Sequence, residues 1–180
     1  MSHRIRKQTK YLTVSAMLCA LGTILLALGA LIDVLDLTVA ALASLLCVYA
    51  VIEIGGPYPV AVWLVTSCLS LLLLPVKTPA IVYAMFAGFY PIVKAKLEGR
   101  KGLKSAICWL LKLVVFHVCI AGIVLILMLF LPSLLENDGP AWFPALLYVM
   151  GLVCFVLYDL ALTRVISFYL ARLHHKFRIR

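Results

Sequence analysis

The sequence predicts an all-α integral membrane protein, a bundle of six transmembrane helices, and three observations carry that prediction. Of the 180 residues, 66% are hydrophobic and 13% charged, against roughly 45–50% and about 25% in an average soluble domain. The apolar residues gather into six runs, at 11–32, 37–54, 60–74, 80–93, 105–131 and 145–170. Thirteen of the sixteen Lys and Arg residues lie in three places flanking those runs: the arm before residue 11, the segment 94–104 and the tail 172–180. A formal net charge of +9 would suit a nucleic-acid binder if it were spread over one surface. Placed beside apolar runs, these charges read instead as topology signals and lipid-headgroup contacts. The bilayer is the expected partner, and nucleic acid is not. One membrane domain spans the whole sequence, with no linker and no visible repeat.

The first run sets the direction of the others. A basic arm, His3, Arg4, Arg6, Lys7 and Lys10, precedes 22 uncharged residues. At about 1.5 Å per residue these reach about 33 Å, enough for a hydrocarbon core of about 30 Å. The run is longer than the h-region of a signal peptide, and no A-x-A site follows, so it is expected to be an uncleaved span. By the positive-inside rule the arm stays in the cytoplasm. The same run carries Ala16 and, one turn on, Ala20, with Cys19 and Gly22 beside them. Small residues four apart let a second helix approach closely in lipid.

The later runs follow in turn. Asp33 and Asp36 make an acidic turn expected outside. The second run ends at Glu53 and the breaker Gly55-Gly56-Pro57-Tyr58-Pro59. The third stops at Pro75, and Pro75 and Pro79 bound the next turn around Lys77. The fourth carries a small-residue stripe, Ala80, Ala84 and Gly88, an aromatic face of Tyr83, Phe86, Phe89 and Tyr90, and Pro91 as a kink or stop. Segment 94–104, with Lys94, Lys96, Arg100, Lys101 and Lys104 against Glu98, is expected as the strongest inner loop. The fifth run is long enough to tilt. A loop with Glu136, Asp138 and three prolines then leads through Trp142, which suits an interface belt, to the sixth run and the basic tail. Six spans put both termini in the cytoplasm and suit every charged loop. Runs two to four are short, and a re-entrant pair with four spans would keep the same parity.

Charges within the runs need an account, because each costs roughly 2.5–3.5 kcal/mol at a helix centre on insertion scales. Lys112, His117, Asp159 and Arg164 form the candidate intramembrane polar cluster. Counting about 1.5 Å per residue from the inner ends puts His117 about 18 Å and Asp159 about 17 Å deep. Two arrangements stay open. Asp159 and His117 can meet as a proton or ligand site. Alternatively Lys112 and Arg164 snorkel, Asp159 satisfies one of them, and His117 bonds a neighbouring hydroxyl or carbonyl. One His and one Asp do not make a metal site. The six cysteines all lie in apolar runs without a C-x-x-C pair, so they are expected as small apolar residues. At the outer mouth, Asp33, Asp36, Glu136, Asp138 and Trp142 are candidates for binding a small solute, or simply face water. No nucleotide-binding loop, zinc-protease helix or nucleophile elbow occurs. No enzyme activity and no cofactor is expected.

Six short spans, a basic arm, the segment Leu12-Thr13-Val14-Ser15-Ala16-Met17-Leu18-Cys19-Ala20-Leu21-Gly22 and the run Ala50-Val51-Ile52-Glu53-Ile54-Gly55-Gly56 resemble the substrate-binding S component of energy-coupling factor (ECF) transporters. The resemblance implies a protein of the bacterial cytoplasmic membrane that takes a vitamin or related micronutrient from outside. It implies docking through Ala16 and Ala20 on a transmembrane coupling subunit, which works with two cytoplasmic ATPases, and a ligand held toward the outer side. The acidic loops with Trp142 would suit a cationic or aromatic ligand. Two other readings stay open: a non-transport membrane scaffold similar in layout to the MreD-type rod-shape protein, and a proton-coupled carrier or intramembrane enzyme using Asp159 and His117.

Overall fold

A computed structural model describes residues 2–32, 35–99, 105–130 and 142–173, and these are helix and turn. The helices are α1 (Ser2–Ala30), α2 (Asp36–Tyr49), α3 (Tyr58–Leu73), α4 (Thr78–Val82), α5 (Tyr90–Glu98), α6 (Ser105–Phe130) and α7 (Phe143–Phe168). Wider π-helical turns continue three of them: Ala50–Ile54 after α2, Tyr83–Ala87 after α4 and Tyr169–Leu173 after α7. Five stretches are long and apolar enough to cross a membrane: Gln8–Ala30, Asp36–Ile54, Thr78–Glu98, Ala106–Ile126 and Phe143–Arg172. The chain is thus a multi-pass membrane protein. The sixth apolar helix, α3, has 16 residues, which reach about 24 Å at 1.5 Å each. Of six expected spans, then, five have the length and α3 falls short of a core of about 30 Å.

Prolines set the length of α3. Pro59 stands in its first turn, where a missing N–H is harmless. Pro75 forces Leu74 into an extended conformation (φ −77°, ψ 136°). Lys77, expected as a loop charge, folds back instead. Its Nζ donates to the carbonyls of Leu71 (2.7 Å) and Leu74 (2.5 Å), closing the end of α3. Before α3, Gly55 and Gly56 have φ of +66° and +62°, a region that side chains rarely enter.

The first four helices pack through small residues. On α1, Ser15, Cys19, Thr23, Leu26 and Ala30 are buried along one face. Leu12, Met17, Ile24 and Leu28 point outward, as lipid-facing side chains do. Leu26 and Ala30 meet Ala40 and Ala43 of α2 and Ala80 and Tyr83 near α4 in one cluster. The expected stripe of Ala80, Ala84 and Gly88 makes room for Trp63 of α3. A Cβ on Gly88 would lie 2.6 Å from the Trp63 ring, and Trp63 Nε1 donates to the Ala84 carbonyl at 2.9 Å.

That carbonyl is free for a reason. In an α-helix it would accept the Gly88 N–H, but here Gly88 donates to Tyr83 instead (2.8 Å), the five-residue spacing of a π turn. Pro91 then lacks the N–H that would have reached the Ala87 carbonyl, and Tyr158 of α7 supplies a hydroxyl there at 3.0 Å. Pro91 neither ends nor merely bends the fourth run. Helix resumes at Tyr90 and continues to Glu98, so Lys94 and Lys96 belong to α5 and not to a loop.

The pairings along the bundle are mutually consistent. The starts of α1 and α3 meet at Tyr11 and Tyr58, with ring centroids 5.7 Å apart. The ends of α2 and α7 meet where the Tyr169 hydroxyl donates to Glu53 Oε1 at 2.8 Å. We call the end where α1 starts the arm end, and the other the far end. α6 and α7 join the rest through aromatic side chains: Phe116 and Phe155 stack with centroids 4.6 Å apart, and both contact Phe86.

Candidate functional site

The buried charges of the last three helices converge on Asp159. Lys94 Nζ contacts Asp159 Oδ1 and donates to the Asp159 carbonyl (2.9 Å) and to Thr163 Oγ1 (2.7 Å). Lys112 Nζ donates to Asp159 Oδ2 at 3.0 Å and to Glu98 Oε1 at 2.7 Å. The Tyr90 hydroxyl donates to Asp159 Oδ1 at 2.6 Å. Asp159, Lys94 and Lys112 are all buried, whereas Glu98 keeps 43% of its side chain exposed. A carboxylate so deep is tolerable only because three donors surround it. The arrangement binds α5, α6 and α7 together at the level of Asp159.

Of the four residues expected as a polar cluster, Lys112 and Asp159 come together and two do not. His117 is exposed; Nε2 lies 2.6 Å from the Tyr148 hydroxyl and Nδ1 2.7 Å from the Leu113 carbonyl. Arg164 is exposed on α7. The depth estimate for His117 ignored rotation. Lys112, Phe116 and Cys119 are the buried face of α6, and one residue past Phe116 turns about 100° away on a helix of 3.6 residues per turn. The pairing of Asp159 with His117 is therefore replaced by Asp159 with Lys94, Lys112 and Tyr90. In the sequence Lys94 opens a basic run and reads as one more topology charge.

Tyr90 couples this cluster to the aromatic core, since its ring also meets Phe86, Phe155 and Tyr158. Tyr90→Phe keeps the ring and removes only the donor to a charged acceptor. It is expected to lower stability by about 1.5–3 kcal/mol, read as a reduced melting temperature of the detergent-purified protein with unchanged expression.

On the other side of the aromatic stack lies a cavity of about 600 Å³ between α2, the π turn after α4, α6 and α7. Phe86, Phe116, Phe155 and Tyr158 wall it on one side, and Leu37, Ile123 and Met150 stand toward the far end. A second, smaller space of about 350 Å³ lies between α1 and α3. Ala16 and Ala20 line it with Ala61 and Val65, and both alanines are exposed. Ser15 also lines it, and its Oγ is buried without a hydrogen-bond partner among the described residues.

Of the far-end candidates, Asp33, Glu136 and Asp138 lie outside the described residues. Asp36 stands half-buried in the first turn of α2, and Trp142 precedes α7 with 62% of its surface exposed. The described cysteines are free thiols, and the Sγ atoms of Cys19 and Cys47 lie 3.8 and 3.7 Å from the carbonyls of Val62 and Pro59, weak contacts between neighbouring helices. No family model, curated protein or solved structure matches the chain.

Proposed function

We propose that this protein is a membrane-embedded ligand-binding subunit of the ECF type, which captures a micronutrient from outside the bacterial cytoplasmic membrane. It docks on a separate transmembrane coupling subunit through α1, and cytoplasmic ATPases supply the energy. In this reading the arm end faces the cytoplasm, with both termini there, and the far end faces out.

The observation that carries the reading is the α1–α3 groove. Ala16 and Ala20 are small, exposed and one turn apart, so a partner helix can approach the α1 backbone closely. The cavity between α2, α6 and α7 supports the ligand-binding half, since its volume lies within the usual range of small-molecule sites.

The test is co-purification with the coupling subunit after co-expression. Ala16→Leu and Ala20→Leu fill an open groove without touching the core, so both variants are expected to keep the wild-type melting temperature and lose at least nine-tenths of the captured subunit. Undiminished capture by both would overturn the docking role.

A further inference from the structure

The cavity's lining says what kind of molecule it admits. Its walls are hydrocarbon and aromatic rings, with Thr38, Tyr158 and two cysteines as the polar exceptions. Neither hydroxyl is available to a ligand as a donor. Thr38 Oγ1 donates to the Leu35 carbonyl at 2.8 Å. The Tyr158 hydroxyl is held between Ser44 Oγ (2.8 Å) and the Ala87 carbonyl (3.0 Å). The buried charges Asp159, Lys94 and Lys112 are absent from the lining and spend their bonds on one another. A charged or sugar-like molecule would shed its water on entering and find nothing in exchange, a desolvation penalty at every polar group. Hydrocarbon suffers no such loss. The rim residues Leu37, Met150 and Leu157 are half or more exposed, on surface that in a membrane protein faces lipid, so an apolar molecule can enter without crossing water.

We propose that this cavity binds an uncharged ligand whose body is hydrocarbon, of the prenyl-chain or fused-ring kind, laid against Phe86, Phe116 and Phe155. The proposal rests on the ligand-binding half of the preceding section and narrows its substrate to lipophilic compounds. It departs from the cationic ligand that the acidic loops suggested. Gly151 gives a means of closing the site. A Cβ built there meets nothing nearer than Phe116 at 4.0 Å, so a larger side chain has a clear path into the cavity.

The experiment is photolabelling of the full-length protein in phosphatidylcholine nanodiscs, with adducts mapped by mass spectrometry. One probe is a twenty-carbon prenol bearing a diazirine; a second is phosphatidylcholine with the same diazirine in an acyl chain. The prenol is expected to label saturably, with adducts at Ile120, Ile123 and Cys154, which line the cavity. Gly151→Phe and Ala41→Phe should each lower that labelling at least tenfold. Leu146→Phe, on the exposed face of α7 and outside the lining, should leave it unchanged. Three results would overturn the proposal: prenol labelling that rises linearly and spreads over exposed α7 positions, equal labelling of the lining by the phospholipid, or labelling indifferent to both cavity-filling variants. The labelling needs no coupling subunit, so its failure leaves the docking result standing, and lost docking leaves the labelling untouched. Comparing the gel-filtration profiles of the variants separates a blocked cavity from a misfolded chain.

Discussion

Asp159→Leu is expected to be the most damaging single substitution in the protein. It strips the buried counter-charge from two buried lysines, Lys94 and Lys112, leaving them only the part-exposed Glu98, and an acceptor from Tyr90. Removing one member of a buried ion pair typically destabilises by about 3–5 kcal/mol, and here two buried cations lose it together. Yield from membranes should fall to a small fraction of wild type, and the recovered protein should aggregate at lower temperature. The informative companion is the triple variant Lys94→Met, Lys112→Met, Asp159→Leu. With all three charges replaced by apolar groups of similar size, no buried charge is left unpaired and only the Tyr90 hydroxyl loses its acceptor; such replacements are often neutral or stabilising. Most of the lost melting temperature should return. A triple variant as unstable as the single one would mean that the cluster stabilises the fold by its charges themselves, and the account of stranded lysines would be wrong.

Phe155→Ala is expected to rank second. Phe155 is 1% exposed, and its ring meets Phe86, Tyr90 and Phe116. Truncating a buried Phe to Ala destabilises by about 3–5 kcal/mol, with the spread set by how far neighbours relax. Relaxation should be limited here, because the space vacated adjoins an existing cavity and simply enlarges it. Equilibrium unfolding in mixed micelles would measure the loss. Phe155→Leu should recover about half of it; full recovery would show that ring stacking contributes little beyond volume.

Hydropathy made the helices legible because lipid leaves the chain few choices: backbone groups must be satisfied within each segment. The bounds of α2 and α7 and the end of α1 follow closely from where charges and prolines fall, whereas α1 starts at Ser2 and takes in the basic arm expected to precede the helix. The fourth run was harder. Pro91 marks a break in the pattern, but the sequence does not show that the helix restarts at once, because the π turn at Tyr83–Ala87 and the hydroxyl of Tyr158 compensate for it from a distance. The polar site was half legible. A charge deep in an apolar run demands a partner, so Asp159 and Lys112 stand out unaided. Which partner answers depends on helix rotation and on which helix lies alongside, and neither is written locally. Lys94 resembles its basic neighbours in every respect except where its helix points it. The exposed position of Ala16 and Ala20 depends likewise on the register of α1 against α3, where Cys19 and Gly22 turn inward.

The buried clasp around Asp159 also has a history in time. Asp159 follows Lys94 by 65 residues and Lys112 by 47. At a synthesis rate of about 5–20 residues per second, Lys94 waits roughly 3–13 s on the ribosome's schedule before its buried counter-ion exists. During that interval Glu98, headgroups and water are the partners within reach of the two lysines. Asp159 arrives with α7, so the clasp that binds α5, α6 and α7 cannot form until that helix is made.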